Sequence, residues 1–200
     1  MEIDILIGCE ESGIVTREFR KRGLNAWSCD LLPTSGDLPQ YHIQDDVLKV
    51  IEEHPEIKMG IFFPPCTHLA VSGARHFEQK RKDGRQQQGI DFFMAMINAP
   101  IEKIAVENPV GIMSSVYRKP DCIIQPWQFG DPYQKTTCLW LKNLPPLFPT
   151  KIVDKGEFVT FKSGKRHPKW YADAFIAGKH GNLRSKTFPG IARAMATQWG

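Results

Sequence analysis

Two hundred residues suit a single domain, with enough chain to bury a real core. The hydrophobic share of 42% and the charged share of 24% are ordinary for a soluble globular protein, and no apolar run has the length of a bilayer span. The net charge of +4 is uneven: residues 151–200 hold ten Lys/Arg against three Asp/Glu, and the residues before them hold 16 against 19. A basic tail on a near-neutral body fits either a polyanionic partner or a merely solvated surface. The opening MEIDILIGCEESG starts acidic and lacks a basic n-region and a small-residue cleavage site, so it does not read as a signal peptide. The cysteines Cys9, Cys29, Cys66, Cys122 and Cys138 are odd in number and contain no C-x-x-C. That pattern argues against a disulfide framework and a thiolate zinc site; no metal site is expected, and a reducing cytoplasm is the natural compartment.

In chain order, IDILIG (3–8) reads as a buried strand. Ser12 then precedes a helix with Val15 and Phe19 on one face, and Gly23 stops it. LNAWSC (24–29) reads as a second strand ending at Asp30, and VLKVIEEH as a helix before Pro55. KMGIFF (58–63) is a third strand halted by Pro64-Pro65. QGIDFFMAMIN (88–98) reads as a helix, KIAVE (103–107) as a strand stopped by Asn108-Pro109, and TCLWL (137–141) as a further strand. Residues 147–186 are basic and hold Phe158, Phe161, Trp170, Tyr171 and Phe175 without a strong period, so they read as an excursion from the core. TFPGIARAMATQW (187–199) is helical again. This alternation predicts one α/β domain, a mostly parallel sheet with helices on both faces. Such sheets bind ligands beyond the carboxyl ends of their strands, where Gly8, Asp30, Pro65-Cys66 and Glu107-Asn108 fall.

Cys66 follows a buried strand and two prolines, which sets it on a rigid turn where a nucleophile can be presented. A lone Cys is more often a small apolar residue. Glu107 closes the next strand in sequence. At a dry position its carboxyl group would hold a raised pKa and could donate a proton to a ring nitrogen; in solvent it would be an ordinary strand-end acid.

Taken together and in order, these segments resemble the DNA cytosine-5 methyltransferases. Pro64-Pro65-Cys66 through Gly73 is similar to their catalytic Pro-Cys motif, and Glu107-Asn108-Pro109 to their Glu-Asn-Val motif. Asp4–Gly13 is similar to their first glycine loop. Asp30 stands where they carry a ribose-binding acid, and Asp46-Val47 resembles their adenine-side Gly-Asp-Ile. Phe129-Gly130-Asp131-Pro132 with Lys135 resembles the motif that holds basic base-contacting residues, and Thr187–Trp199 lies where the last motif returns. The Gly-x-Gly-Gly loop reads Gly8-Cys9-Glu10-Glu11-Ser12-Gly13 here. Thr67 replaces a Gln, Thr137 replaces an Arg, and only the interval 147–186 stands in place of a large target-recognition domain.

The resemblance implies a Rossmann-like S-adenosylmethionine-dependent methyltransferase fold that transfers a methyl group to carbon 5 of cytosine in DNA. It implies Cys66, Glu107, Asn108 and Lys135 as catalytic residues, Asn108 positioning Glu107 and the Cys66 loop. S-adenosylmethionine is then expected against Gly8, Glu10, Gly13, Asp30, Asp46 and Pro64. The resemblance places a mobile DNA-closing loop over the basic run Arg75–Arg85 and leaves DNA, single- or double-stranded, as the partner. Recognition would come from the excursion, or from a second copy of the chain or a partner subunit. Three other readings stand: a degenerate methyltransferase-fold protein that binds nucleic acid or a partner without turnover; an enzyme acting on another pyrimidine substrate or moving a modified methyl group; and a cysteine hydrolase using Cys66 and His68.

Overall fold

A computed structural model describes residues 2–161, 164, 166–176 and 185–200. Lys162 and Lys165, expected among the basic residues of the excursion, lie outside the described residues. The order is β1 (Ile5–Gly8), α1 (Ile14–Arg20), β2 (Ala26–Asp30), β3 (His42–Gln44), α2 (Val47–Glu53), β4 (Met59–Phe62), α3 (Phe77–Lys82) and α4 (Arg85–Ile97). There follow β5 (Lys103–Pro109), α5 (Met113–Val116), β6 (Cys122–Ile124), β7 (Thr137–Lys142), β8 (Phe158–Thr160), β9 (Arg166–Pro168), α6 (Lys169–Ile176) and α7 (Pro189–Trp199).

Seven strands form one sheet in the order β3-β2-β1-β4-β5-β7-β6. Every pair from β3 to β5 is parallel, and β7 runs antiparallel to both its neighbours. The chain winds outward from β1 in one direction, returns to β4 and winds in the other, so the carboxyl ends of β1 and β4 form the switch point where such sheets bind ligands.

The strands alternate between two cores, as the two-residue period of a strand requires. Leu6, Phe62, Ile104, Val106 and Trp140 pack with Phe93 and Met96 of α4 and with Val47, Val50 and Ile51 of α2. Ile5, Ile7, Met59, Ile61, Ala105, Leu139 and Leu141 pack with Val15 and Phe19 of α1 and with Ile191, Met195 and Trp199 of α7. Both faces of the sheet are therefore covered by helices.

Three differences from the sequence expectations have physical causes. β3, β6 and α5 escape a periodicity reading because each is only three or four residues long. β5 runs on through Asn108 and Pro109, because β7 pairs Cys138 with Asn108 and Thr137 with Pro109. The run Arg75–Arg85 takes part in a 3-10 turn (Val71–His76), α3 and the start of α4. Lys82 pairs with Glu78 and Arg85 with Asp83, while Lys80 turns inward, so the run is an ordered corner of the fold rather than an open basic loop.

The excursion also has structure: β8 and β9 form an antiparallel hairpin leading into α6. Trp170 of α6 meets Tyr133 at 5.9 Å and Phe188 at 5.7 Å between ring centroids, tying this module to the chain on either side of it. Among the described residues no helix is long and apolar enough to cross a membrane.

Candidate active site

The neighbouring strands β4 and β5 set the geometry. Phe62 pairs with Val106, so Phe63 and Pro64 leave the sheet beside Glu107 and Asn108. Asn108 is buried, and its Nδ2 donates to the Pro64 carbonyl at 3.1 Å, fixing the segment that leads to Cys66. Its Oδ1 is buried with no hydrogen-bond partner among the described residues.

Glu107, one residue earlier, faces the opposite side of the sheet, as strand alternation demands. It shares a small cavity with Phe63, Lys135, Thr137, Ser185, Thr187 and the α7 residues Ile191 and Met195. Burial pushes its carboxyl pKa up, and the Lys135 ammonium pulls the other way. The structure thus brings Lys135 and Glu107 together. The α7 side chains that dry this cavity were not anticipated from sequence; the apolar spacing of residues 187–199 marks a core-facing helix, not its address.

Beyond Pro64 the chain turns sharply. The Cys66 carbonyl accepts from the Leu69 and Ala70 amides, at 3.0 and 2.9 Å. Ala70 then bridges to Gly111, Val71 N–H donates to Val110 O, and Ile112 N–H donates to Leu69 O. A methyl group at Gly111 would overlap the Leu69 carbonyl, so only glycine allows this approach. The Cys66 turn and the loop after Asn108 are laced into one unit, with the half-buried Cys66 thiol two residues from Pro64. The Nδ1 of His68 is buried without a hydrogen-bond partner among the described residues. Among those residues no group of three metal-ligating side chains occurs.

The expected cofactor residues divide. Gly8 ends β1 under Phe62 and Val47, whose atoms would lie 2.6 Å from an added Cβ, so close packing requires glycine here. Gly13 holds φ +63° at the start of α1, a left-handed conformation suited to glycine. Glu10 turns inward: it is buried, and its carboxylate accepts from Val15 N, from Thr16 N at 3.2 Å and from Thr16 Oγ1 at 2.7 Å. It satisfies donors at the start of α1, which Gly13 has no side chain to cap. Burial still dominates and raises the Glu10 pKa to about 7.

Asp30 stands at the carboxyl end of β2 and accepts from Leu32 N through Oδ1 at 3.0 Å. Asp46 is the N-cap of α2, accepting from Leu48 N at 2.9 Å. Cys9, in a left-handed conformation at φ 57°, lies within the fields of Asp30 and Asp46, and burial pushes its thiol up to about 12. Asp30 and Asp46 thus gather at the switch point around the Cys9 turn. Carboxylates there suit a sulfonium charge and a ribose diol, so this donor set fits S-adenosylmethionine.

The motif Phe129-Gly130-Asp131-Pro132 is tied to the start of α7. Asp131 accepts from Gly190 N–H at 2.7 Å, capping the first turn of α7, and a methyl group at Gly190 would overlap the Phe129 carbonyl. Lys135 is thereby held on a loop anchored to the same helix that walls Glu107.

No protein-family model matches the sequence, and neither does any curated protein. Among solved structures the chain is similar to a protein assigned as a DNA modification methyltransferase encoded within a prophage of E. coli, at TM-score 0.52 and 16% identity over 76% of this chain and 52% of that one. It is also similar to the Entamoeba histolytica methyltransferase EhMeth, at TM-score 0.47 and 16% identity over 76% of this chain and 58% of that one. A DNMT2 variant from Spodoptera frugiperda gives TM-score 0.43 and 13% identity over 78% of this chain and 57% of that one. The chain spans little more than half the length of each of these proteins. The strand order and the first of these likenesses give the fold: it is the Rossmann-like fold of S-adenosylmethionine-dependent methyltransferases.

Proposed function

We propose that the chain transfers a methyl group from S-adenosylmethionine to carbon 5 of cytosine in DNA, with Cys66 as the nucleophile. The observation that carries this reading is the Asn108–Pro64 bond, which couples the Cys66 turn to the strand end bearing Glu107. Asp30 and Asp46 would hold the cofactor with Gly8, Gly13 and Pro64. Glu10, committed to α1, would act by shaping the loop. When bound, S-adenosylmethionine supplies an electrophilic methyl group.

The residues act on the base. Cys66 thiolate adds to carbon 6, and the displaced electron pair moves toward N3. Glu107, whose acid form burial favours, would donate there, making carbon 5 nucleophilic. Methylation of carbon 5, with S-adenosylhomocysteine as the leaving group, would be followed by loss of the carbon 5 proton to water. That electron pair re-forms the C5–C6 double bond and expels Cys66 as thiolate, and the N3 proton returns to the Glu107 carboxylate. Lys135 would stand by the base carbonyl and by Glu107. In duplex DNA the base must first leave the stack, at a cost of roughly a few kcal/mol.

The similar prophage protein is assigned to DNA modification, which supports DNA as the substrate. The exposed Lys169 and Arg166 suit phosphate contact more than a long groove code, so short or relaxed sequence contexts are expected. Mass spectrometry of nucleosides from DNA treated with the purified protein tests the reaction. 5-Methylcytosine should form with wild type and be absent with Cys66→Ala, and DNA carrying 5-fluorocytosine should trap a covalent adduct on Cys66. Undiminished methylation by Cys66→Ala would sink the mechanism.

The inward-facing Glu10 favours a second reading, a methyltransferase-fold protein that binds nucleic acid without turnover. Calorimetry with S-adenosylmethionine separates the two, since only the enzyme must bind it.

A further inference from the structure

From Cys66 to Ala70, five consecutive carbonyls are occupied. Cys66 O accepts from Leu69 and Ala70, Leu69 O from Ile112, and Ala70 O from Gly73. The two between them are taken by side chains from elsewhere in the chain: Lys80 Nζ of α3 donates to Thr67 O at 2.5 Å, and Gln86 Nε2 of α4 donates to His68 O at 3.2 Å. Lys80 is 7% exposed and Gln86 5%, so both donors are withdrawn from water. The Lys80 ammonium also lies against Gly73, where an added Cβ would sit 3.2 Å from Nζ, so the turn wraps over it.

Burying an ammonium is costly, and this one meets a backbone carbonyl rather than a carboxylate. Nothing in helix propensity calls for a lysine there over a leucine or a methionine. We propose that Lys80 and Gln86 are positioning residues. The corner between α3 and α4 is a clasp that holds the turn after Cys66 in its working shape before DNA arrives. The nucleophile is then preorganised by the protein's own side chains. This rests on the reading of Cys66 as nucleophile, but its test does not.

Hydrogen exchange of the DNA-free protein, followed at the Leu69, Ala70 and Gly73 amides, reads the clasp directly. Lys80→Met keeps the length and removes the charge. It should speed exchange at these amides by roughly tenfold or more, the factor for losing a charge-assisted hydrogen bond, while amides in β1 and β5 keep wild-type protection. Gln86→Leu should do the same more weakly, and Lys80→Arg should restore part of the protection. The rate of Cys66 alkylation by iodoacetamide should rise with exchange. In turnover, Lys80→Met should lower kcat with the KM for S-adenosylmethionine unchanged.

Wild-type exchange at Leu69 and Ala70 in both Lys80→Met and Gln86→Leu would overturn the proposal. If Lys80→Met fails to fold, Gln86→Leu decides alone. A loosened turn together with full methylation by Cys66→Ala would instead overturn the nucleophile and leave the clasp standing.

Discussion

Asn108 reaches across from β5 to hold the Pro64 carbonyl, and this one bond joins the segment that carries the proposed acid to the segment that carries the proposed nucleophile. Asn108→Ala should cost about 1–3 kcal/mol of stability, because it leaves a buried carbonyl unsatisfied. It should also slow adduct formation at Cys66 more than it weakens cofactor binding. Denaturant titration and the single-turnover rate check the two parts. A normal rate in a destabilised protein would confine Asn108 to the scaffold.

Burial raises the Glu107 pKa, so its acid form persists above the ordinary carboxylate range and is lost as pH rises through the raised value. Turnover should therefore have an alkaline limb set by Glu107. Lys135 opposes the shift, so Lys135→Met should move that limb to higher pH. Glu107→Gln should lower the rate by roughly 10²–10⁴ and leave DNA affinity nearly intact. A pH–rate profile unmoved in Lys135→Met would separate the two groups.

Asp30→Ala should weaken S-adenosylmethionine binding, because a carboxylate at the end of β2 can accept from a ribose diol. Equal affinities by calorimetry would place the cofactor elsewhere.

Glu10 makes a claim on stability. Its pKa is about 7 folded against 4.5 unfolded, so the folded state binds more protons between those values. Stability contributed by this group is complete below about pH 4.5 and falls as pH rises to about 7, by about 3 kcal/mol in all. Glu10→Gln should flatten the unfolding free energy over that window relative to wild type. Parallel curves for the two proteins would show that the helix start holds the carboxylate charged.

Long elements were legible because they span several repeats of their period. The strands at 103–107 and 137–141 and the helix around Phe93 carry enough apolar residues to declare themselves. The adjacency of the strands that lead to Cys66 and Glu107 followed from the alternation of strands and helices, and β4 does pair with β5. Lys80 was illegible: in a run of charges nothing distinguishes the one lysine that turns inward, because its partner is a backbone carbonyl thirteen residues back. Glu10 was ambiguous for a related reason. A carboxylate in a glycine loop at a strand end suits a ligand or a helix start equally, and the missing side-chain cap at Gly13 gives this one a use at the helix start. The wall that dries Glu107 comes from α7, far along the chain, and no local pattern connects the two.

That distance matters while the chain is being made. Val15 and Phe19 of α1 pack against α7, whose residues are synthesised long after them. At about 5–20 residues per second, α1 leaves the ribosome roughly 10–30 s before α7 exists. Through that interval the sheet face bearing Ile5, Ile7, Met59 and Ile61 has one helix of its two and stays sticky. A ribosome that stalls before residue 189 would release a half-roofed sheet prone to self-association.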